Sequence, residues 1–219
     1  MRVTQTKQIT VIGVIVVNVT APPQAYEGIP VTVSASWDTA AGPFDGVYYW
    51  GDGASDLINT TLKSISKDHT YATVGNYTVK VVVKDRNTGA EGEKTAPIQI
   101  AAKLAATLSP SPATGNVPLP VTFTINISGG YLNYSWSLDP GDGSAPYSGT
   151  RPAAGGFTQA HTYNKVGTFS ATLTATDALG ATILARATAR TDLAAPGIPT
   201  AAAIIIPLVA GLALLRVKR

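Results

Sequence analysis

Trp50-Gly51-Asp52-Gly53 is followed by His69-Thr70-Tyr71, by Val74-Gly75-Asn76-Tyr77 and by Asp85. The same words return as Gly141-Asp142-Gly143, His161-Thr162-Tyr163, Val166-Gly167-Thr168-Phe169 and Asp177. The histidine precedes the last aspartate by 16 residues both times, and the tyrosine precedes the glycine by 4 both times. Upstream, Ile29-Pro30-Val31-Thr32-Val33 matches Leu119-Pro120-Val121-Thr122-Phe123, which lies 90 residues later. Self-similarity at this period means two copies of one domain and not a single large fold.

Between the repeated words the residues alternate with period two. Tyr77 to Lys84 and Phe169 to Thr176 are such runs, rich in Val, Thr and aromatics. Val31 to Ser36 and Val121 to Ile127 read the same way. This is the pattern of half-buried strands. Gly, Pro and Asp clusters break the runs at short intervals, and no segment before residue 198 carries a 3.6-residue stripe. Each copy is therefore expected to be an all-β sandwich, immunoglobulin-like in size. Glycine on either side of an aspartate allows a tight turn at a strand end. Tyr71 and Tyr163 are expected as buried rings with hydroxyls tied to backbone. Trp50 and Trp136 are expected at equivalent places between the sheets, where the absence of cysteine leaves packing to do what a disulfide would.

Trp50, Gly51, Asp52 and Gly53 with His69-Thr70-Tyr71 and Gly75-Asn76-Tyr77-Thr78-Val79 resemble the polycystic kidney disease (PKD) repeat. The second copy resembles it through Gly141, Asp142, Gly143, His161 and Tyr163. The resemblance covers about residues 16–192. The family's Asp-Phe between tryptophan and glycine is missing at Trp50-Gly51. The second copy carries Ser137-Leu138-Asp139-Pro140 instead, and has Phe169 where the first has Tyr77. The resemblance implies PKD-type sandwiches serving as extracellular spacers or interaction modules, as on cell surfaces and in surface layers.

The C-terminus reads as an anchor. Leu193 to Leu215 has no charged residue, and Arg216-Val217-Lys218-Arg219 follows it. About 20 apolar residues cross a bilayer as a helix, and a basic end marks the cytoplasmic side. The fold class expected is thus two tandem sandwiches plus one C-terminal transmembrane helix. The expected organisation is a strand or signal segment at 1–15, domains at 16–101 and 102–192, a stalk at 193–199 and an anchor with basic tail at 200–219. Pro196-Gly197-Ile198, the apolar span and the basic tail together resemble the sorting signals that a sortase-like enzyme of archaea replaces with a lipid. The N-terminus has two readings: a targeting segment cleaved after Ala21, or a retained strand in which Val16 to Thr20 matches Ala106 to Pro110.

Asn18, Asn59, Asn76, Asn126 and Asn133 each begin an Asn-x-Ser/Thr acceptor sequence, five of the eight asparagines present. That share exceeds what the Ser and Thr content gives by chance, and it favours a glycosylated exterior. Removing the three basic residues of the tail leaves 13 basic against 13 acidic, so the remainder is neutral and offers no face for nucleic acid. No cysteine is present, which excludes thiol chemistry, and the two histidines are equivalent residues of a repeat. Catalysis and cofactors are accordingly not expected. Asp38, Asp45 and Asp52, with Asp139 and Asp142, are weak calcium candidates, since hard oxygen ligands suit that ion. Trp37, Tyr48, Tyr49 and Trp50 are candidates for stacking on sugars.

These observations point to a membrane-anchored surface protein, on a cell or a virion envelope, whose partners are the membrane and other surface proteins or glycans. Two rivals remain. One is a subunit of a surface layer, filament or spike, homo-oligomeric through addition of the strand Thr4 to Val17 to a neighbour's sheet. The other is a carbohydrate-binding adhesin, favoured only if the aromatic cluster is exposed.

Overall fold

A computed structural model describes residues 13–38 and 42–194. The described chain is all β, with sixteen strands and no helix. The first sandwich comprises β1 (Val17–Thr20), β2 (Gln24–Tyr26), β3 (Pro30–Trp37), β4 (Phe44–Tyr49), β5 (Ser55–Thr60), β6 (Ser64–Thr70), β7 (Gly75–Asp85) and β8 (Glu91–Ala101). The second repeats it as β9 (Ala105–Ser111), β10 (Thr114–Asn116), β11 (Leu119–Ser128), β12 (Tyr134–Asp139), β13 (Tyr147–Arg151), β14 (Gly155–Tyr163), β15 (Gly167–Thr176) and β16 (Thr182–Asp192).

Each sandwich packs a three-stranded sheet on a five-stranded one. The orders β1-β3-β6 and β2-β8-β7-β4-β5 recur as β9-β11-β14 and β10-β16-β15-β12-β13. All pairings are antiparallel except β2 with β8 and β10 with β16.

Alternation decides which face each strand buries. In β3 the inward residues are Val31, Val33, Ala35 and Trp37, and β7 faces them with Val79, Val81 and Val83. In the second core Val121, Phe123, Ile125 and Ile127 of β11 meet Ala171, Leu173 and Ala175 of β15. Trp50 and Tyr48 in one core, and Tyr134 and Leu138 in the other, are among the largest buried side chains.

Two expectations are corrected by register. Val17 pairs with Trp37, and Ala106 pairs with Ile127, the counterpart of Trp37. So Val17, not Val16, matches Ala106. Val17 is 5% exposed and Val16 52%, the inversion that a one-residue slip produces. Likewise Trp136 is not the equivalent of Trp50. Phe44 and Tyr134 open their strands identically, which places Trp136 on the rung of Gly46 and Pro140 at the place of Trp50. Trp136 is half-buried, with its ring centroid 5.0 Å from that of Phe157. The distance from tryptophan to Gly-Asp-Gly differs between the copies, and that difference sets the rung.

Among the described residues no helix is long and apolar enough to cross a membrane. The expected anchor at 200–219, the stalk from residue 195 onward and residues 1–12 of the N-terminal segment lie outside the described residues.

Candidate functional site: the repeated turn and the interdomain junction

The Gly-Asp-Gly words are turns at the ends of β4 and β12 in which a side chain at the first glycine would collide with backbone. Gly51 has φ 87° and Gly141 φ 82°. A Cβ there would lie 2.8 Å from the Thr78 carbonyl oxygen or 2.5 Å from that of Ser170. The aspartate between the glycines ties the turn to the neighbouring sheet. Asp52 Oδ1 accepts the Ala54 N–H (3.0 Å), and its Oδ2 lies 2.7 Å from His69 Nε2. Asp142 Oδ1 accepts the Ser144 N–H (3.0 Å) and hydroxyl (2.6 Å), and its Oδ2 lies 2.9 Å from His161 Nε2. Burial opposes ionisation of Asp142, but the hydrogen bonds from Ser144 and His161 outweigh it and hold the carboxyl at about 2. Burial likewise opposes ionisation of Asp52, and the hydrogen bonds from His69 and Ala54 lower its carboxyl below the usual range.

The His-Thr-Tyr words complete the assembly. The His69 ring lies flat on Trp50 at 4.6 Å and meets the edge of Tyr71 at 4.7 Å. Tyr71 stacks on Tyr77 at 4.4 Å, as Tyr163 stacks on Phe169 at 4.6 Å. Tyr71 donates its hydroxyl proton to the Trp50 carbonyl (2.9 Å), and Tyr163 to that of Pro140 (2.9 Å). These hydroxyls reach back to the strand that enters the Gly-Asp-Gly turn. The histidine, aspartate and tyrosine of each copy therefore form one structural clasp between the two sheets, at the same end of each sandwich.

The aspartates offered for calcium do not converge. Asp38 accepts the Val16 N–H at 3.1 Å. Asp45 is held in a fork by Arg86, with Nε at 2.7 Å from Oδ2. Asp139 accepts the Gly141 N–H at 2.8 Å. Among the described residues no three His, Cys, Asp or Glu side chains are grouped to hold a metal. Of the aromatics offered for sugar stacking, Trp37, Tyr48 and Trp50 are core residues, and only Tyr49 is exposed. The reason is strand alternation, which turns three of the four inward. Asn18, Asn59, Asn76, Asn126 and Asn133 are all exposed.

The residues that sequence reading left without a role are the final aspartates of the repeat. Asp85 is buried and accepts the N–H groups of Asn87 (2.8 Å) and Thr88 (3.1 Å), closing the β7–β8 turn of its own sandwich. Asp177 does this and more. Its Oδ1 accepts the N–H groups of Leu179 and Ala181, both at 3.0 Å. Its Oδ2 accepts the Tyr131 N–H (2.9 Å) and the hydroxyl of Tyr26 from the first sandwich (2.6 Å). Tyr131 returns the contact, its hydroxyl lying 3.0 Å from the Ala25 carbonyl and 2.7 Å from that of Gln99. The two tyrosine rings meet edge to face at 5.6 Å.

Backbone closes the same joint, for Gly130 N–H donates to the Ala102 carbonyl at 2.8 Å. A Cβ on Gly130 would stand 2.7 Å from Asp177 Oδ2, so the joint requires the glycine. Asp177 is 5% exposed. Burial opposes its ionisation, yet the Tyr26 hydroxyl and the N–H groups of Tyr131, Ala181 and Leu179 keep the carboxyl below the usual range. Burial, and then the adjoining carboxylate, push the Tyr26 hydroxyl far up. The structural counterpart of Tyr26 in the second sandwich is Asn116, since Tyr26 faces Ala101 as Asn116 faces Asp192. The signal for the joint was Gly129-Gly130-Tyr131, a tight turn between β11 and β12 that carries an aromatic.

Comparison with known proteins gives the following. PKD-domain family models match residues 105–188 and residues 15–100. Among solved structures, the PKD domain of an M14-like peptidase from Thermoplasmatales archaeon SCGC AB-540-F20 is similar at 22% identity, over 39% of this chain and 92% of that one, with a TM-score of 0.36. The fibronectin(III)-like modules of Clostridium thermocellum CbhA are similar at 17% identity, over 80% and 95%, with a TM-score of 0.36. A two-domain fibronectin type-III segment of chicken tenascin follows at 12% identity, over 80% and 98%, with a TM-score of 0.36. No curated protein matches the chain.

Proposed function

The chain belongs to the PKD-domain family in both of its sandwiches, and from that premise we propose that it is a surface-anchored spacer. Domains of this family are generally extracellular adhesion or spacer modules. The observation that carries the spacer reading is the joint. Two tyrosines and a buried carboxylate, crossing between the sandwiches in both directions, fix one domain on the other. A pair linked only by chain would bend freely, whereas interlocked polar groups that are buried resist separation, because parting leaves them unsatisfied. The apolar run from Ala201 to Leu215 and the basic tail support anchoring in a membrane, with the sandwiches held outside and their faces open to neighbouring proteins or glycans. The five exposed acceptor asparagines support the same exterior placement. Nothing in this reading requires chemistry or a cofactor.

The test is the distribution of distances between spin labels placed on the two sandwiches. A narrow distribution is expected for the native chain, and a broad one for the double variant Tyr26→Phe, Tyr131→Phe. A native distribution as broad as the variant's would end the spacer reading.

A second reading has one observation in its favour. β14 is an edge strand of nine residues, bonded only to β11 and free of Asp, Glu, Lys and Arg. Proteins usually protect such edges with charge or cover. A strand from the N-terminal segment of another copy would add to it and build an ordered surface assembly. Deleting residues 1–15 discriminates: loss of higher-order species with both sandwiches still folded supports assembly, and no change in oligomeric state rules it out.

A further inference from the structure

The two copies differ on the outer face of the five-stranded sheet. In the first sandwich Val47 faces Leu57 on one side and Val82 on the other, an apolar rung across three strands. In the second, the same rung is Ser137 facing Ser148 and Thr174. Hydroxyls suit a face left to water, but the apolar rung does not. Leu57 is 77% exposed, and the rung forms the floor of a groove of about 410 Å³. Asp45, Lys84 and Glu91 edge the groove, Lys84 and Glu91 bridging at 3.0 Å.

Asn59 also lines this groove. It lies two residues beyond Leu57 on edge strand β5, hence on the same face and about 7 Å away. It begins the acceptor sequence Asn59-Thr60-Thr61. Thr61 lies just past the end of β5, outside the ladder. Among the described residues the Asn59 amide has no hydrogen-bond partner. The counterpart of Asn59 in the second copy is Thr150, which no acceptor sequence includes. The apolar rung and an acceptor asparagine beside it thus occur together in one copy, and at the matching place in the other both are absent. By contrast, Asn126 sits on β11 between two bonded neighbours, where it faces Gly156 and Thr107 and no apolar rung.

We propose that Asn59 carries an N-linked oligosaccharide whose first sugars lie in this groove, their C–H faces packed on Val47, Leu57 and Val82. In the transfer, Asn59 Nδ2 forms a bond to the anomeric carbon of a lipid-phosphate-linked oligosaccharide. The bond from that carbon to the phosphate oxygen breaks, and the proton lost from Nδ2 leaves with the phosphate side. No oxidant or reductant takes part. The glycan is then a permanent cover for one sheet face, set on the chain where an uncovered apolar patch would otherwise adhere to other surfaces.

The proposal rests on the exterior placement above, and the experiment separates the two. The full chain is produced in a host that N-glycosylates and exports it, and its peptides are weighed. A glycan on Asn59 is expected. Thr61→Ala, or Asn59→Gln, should raise emission of a hydrophobic-surface dye several-fold. Ser128→Ala, which removes the Asn126 acceptor, should leave it unchanged. Thermal unfolding monitors that each variant is folded. A bare Asn59 beside another filled acceptor overturns this proposal alone. Five bare acceptors in exported chain overturn this proposal alone, whereas a chain that the host keeps inside overturns it and the exterior placement together. A glycosylated chain that dimerises, and that Leu57→Glu makes monomeric, assigns the groove to a second copy and overturns the proposal also.

Discussion

Trp50 and Trp136 looked interchangeable in the repeat, and they are not. Trp50 is fully buried, stacks on Tyr48 and His69, and donates its indole N–H to Asp56 at 2.9 Å. Trp50→Ala empties a large core volume and should cost about 3–5 kcal/mol. Trp136 is half-buried at the open side of its sandwich, so Trp136→Ala should cost roughly 2 kcal/mol, in proportion to the smaller area lost. Denaturant titration of each variant checks the order, and equal losses would contradict it. The clasp aspartate predicts a pH dependence. Asp142 is depressed in the folded state to about 2. A depressed carboxyl contributes stability that is fully present above its unfolded value near pH 4 and disappears as pH falls through the folded value. Stability should therefore fall between about pH 4 and pH 2. Asp142→Asn should be about 2 kcal/mol less stable at neutral pH and should have a shallower slope, the remainder belonging to the other depressed carboxyls such as Asp52 and Asp177. An unchanged slope in the variant would place the acid sensitivity elsewhere.

At the level of strands, the register of β1 makes a sharp prediction. Val17→Asp puts an unpaired carboxylate into the first core and should cost roughly 3 kcal/mol or more, while Val16→Asp on the solvent face should be near neutral. The opposite order would restore the alignment read from sequence. That alignment failed for a definable reason. Val16 and Val17 are both apolar, so the alternation by which a strand declares its buried face is absent there. The same limit explains Trp136. Its rung depended on turn length, which composition does not fix. Where alternation is strict, as from Val121 to Ile127 or Tyr77 to Lys84, sequence and structure agree on strand and period. The clasp was legible in part. Gly51, Asp52, Gly53, His69 and Tyr71 were selected as a set because they recur, yet their mutual bonds span 17 to 21 residues and needed the fold to bring them together. The joint was least legible, since Tyr26 and Tyr131 break the repeat instead of obeying it.

For the whole molecule, the joint makes the sandwiches depend on each other for stability. Tyr26→Phe removes a hydrogen bond to a buried carboxylate and should destabilise the second sandwich by about 1.5–3 kcal/mol, although the substituted residue belongs to the first. A fragment of residues 102–194 should fold, but unfold at lower temperature than the same sandwich in the tandem chain. Calorimetry of both decides, and identical midpoints would mean that the joint carries no energy. The joint also has a polarity along the chain. Its donor Tyr26 has Asn116 as counterpart at the far end of the second sandwich, where no matching hydroxyl exists to reach a third domain. Duplicating the segment for the second sandwich would therefore append a unit without this hydrogen bond, whereas duplicating the first would supply another tyrosine to make it. Whether this bond can be repeated is thus written into one side chain, much as the coupling on a carriage decides whether another can be hitched behind it.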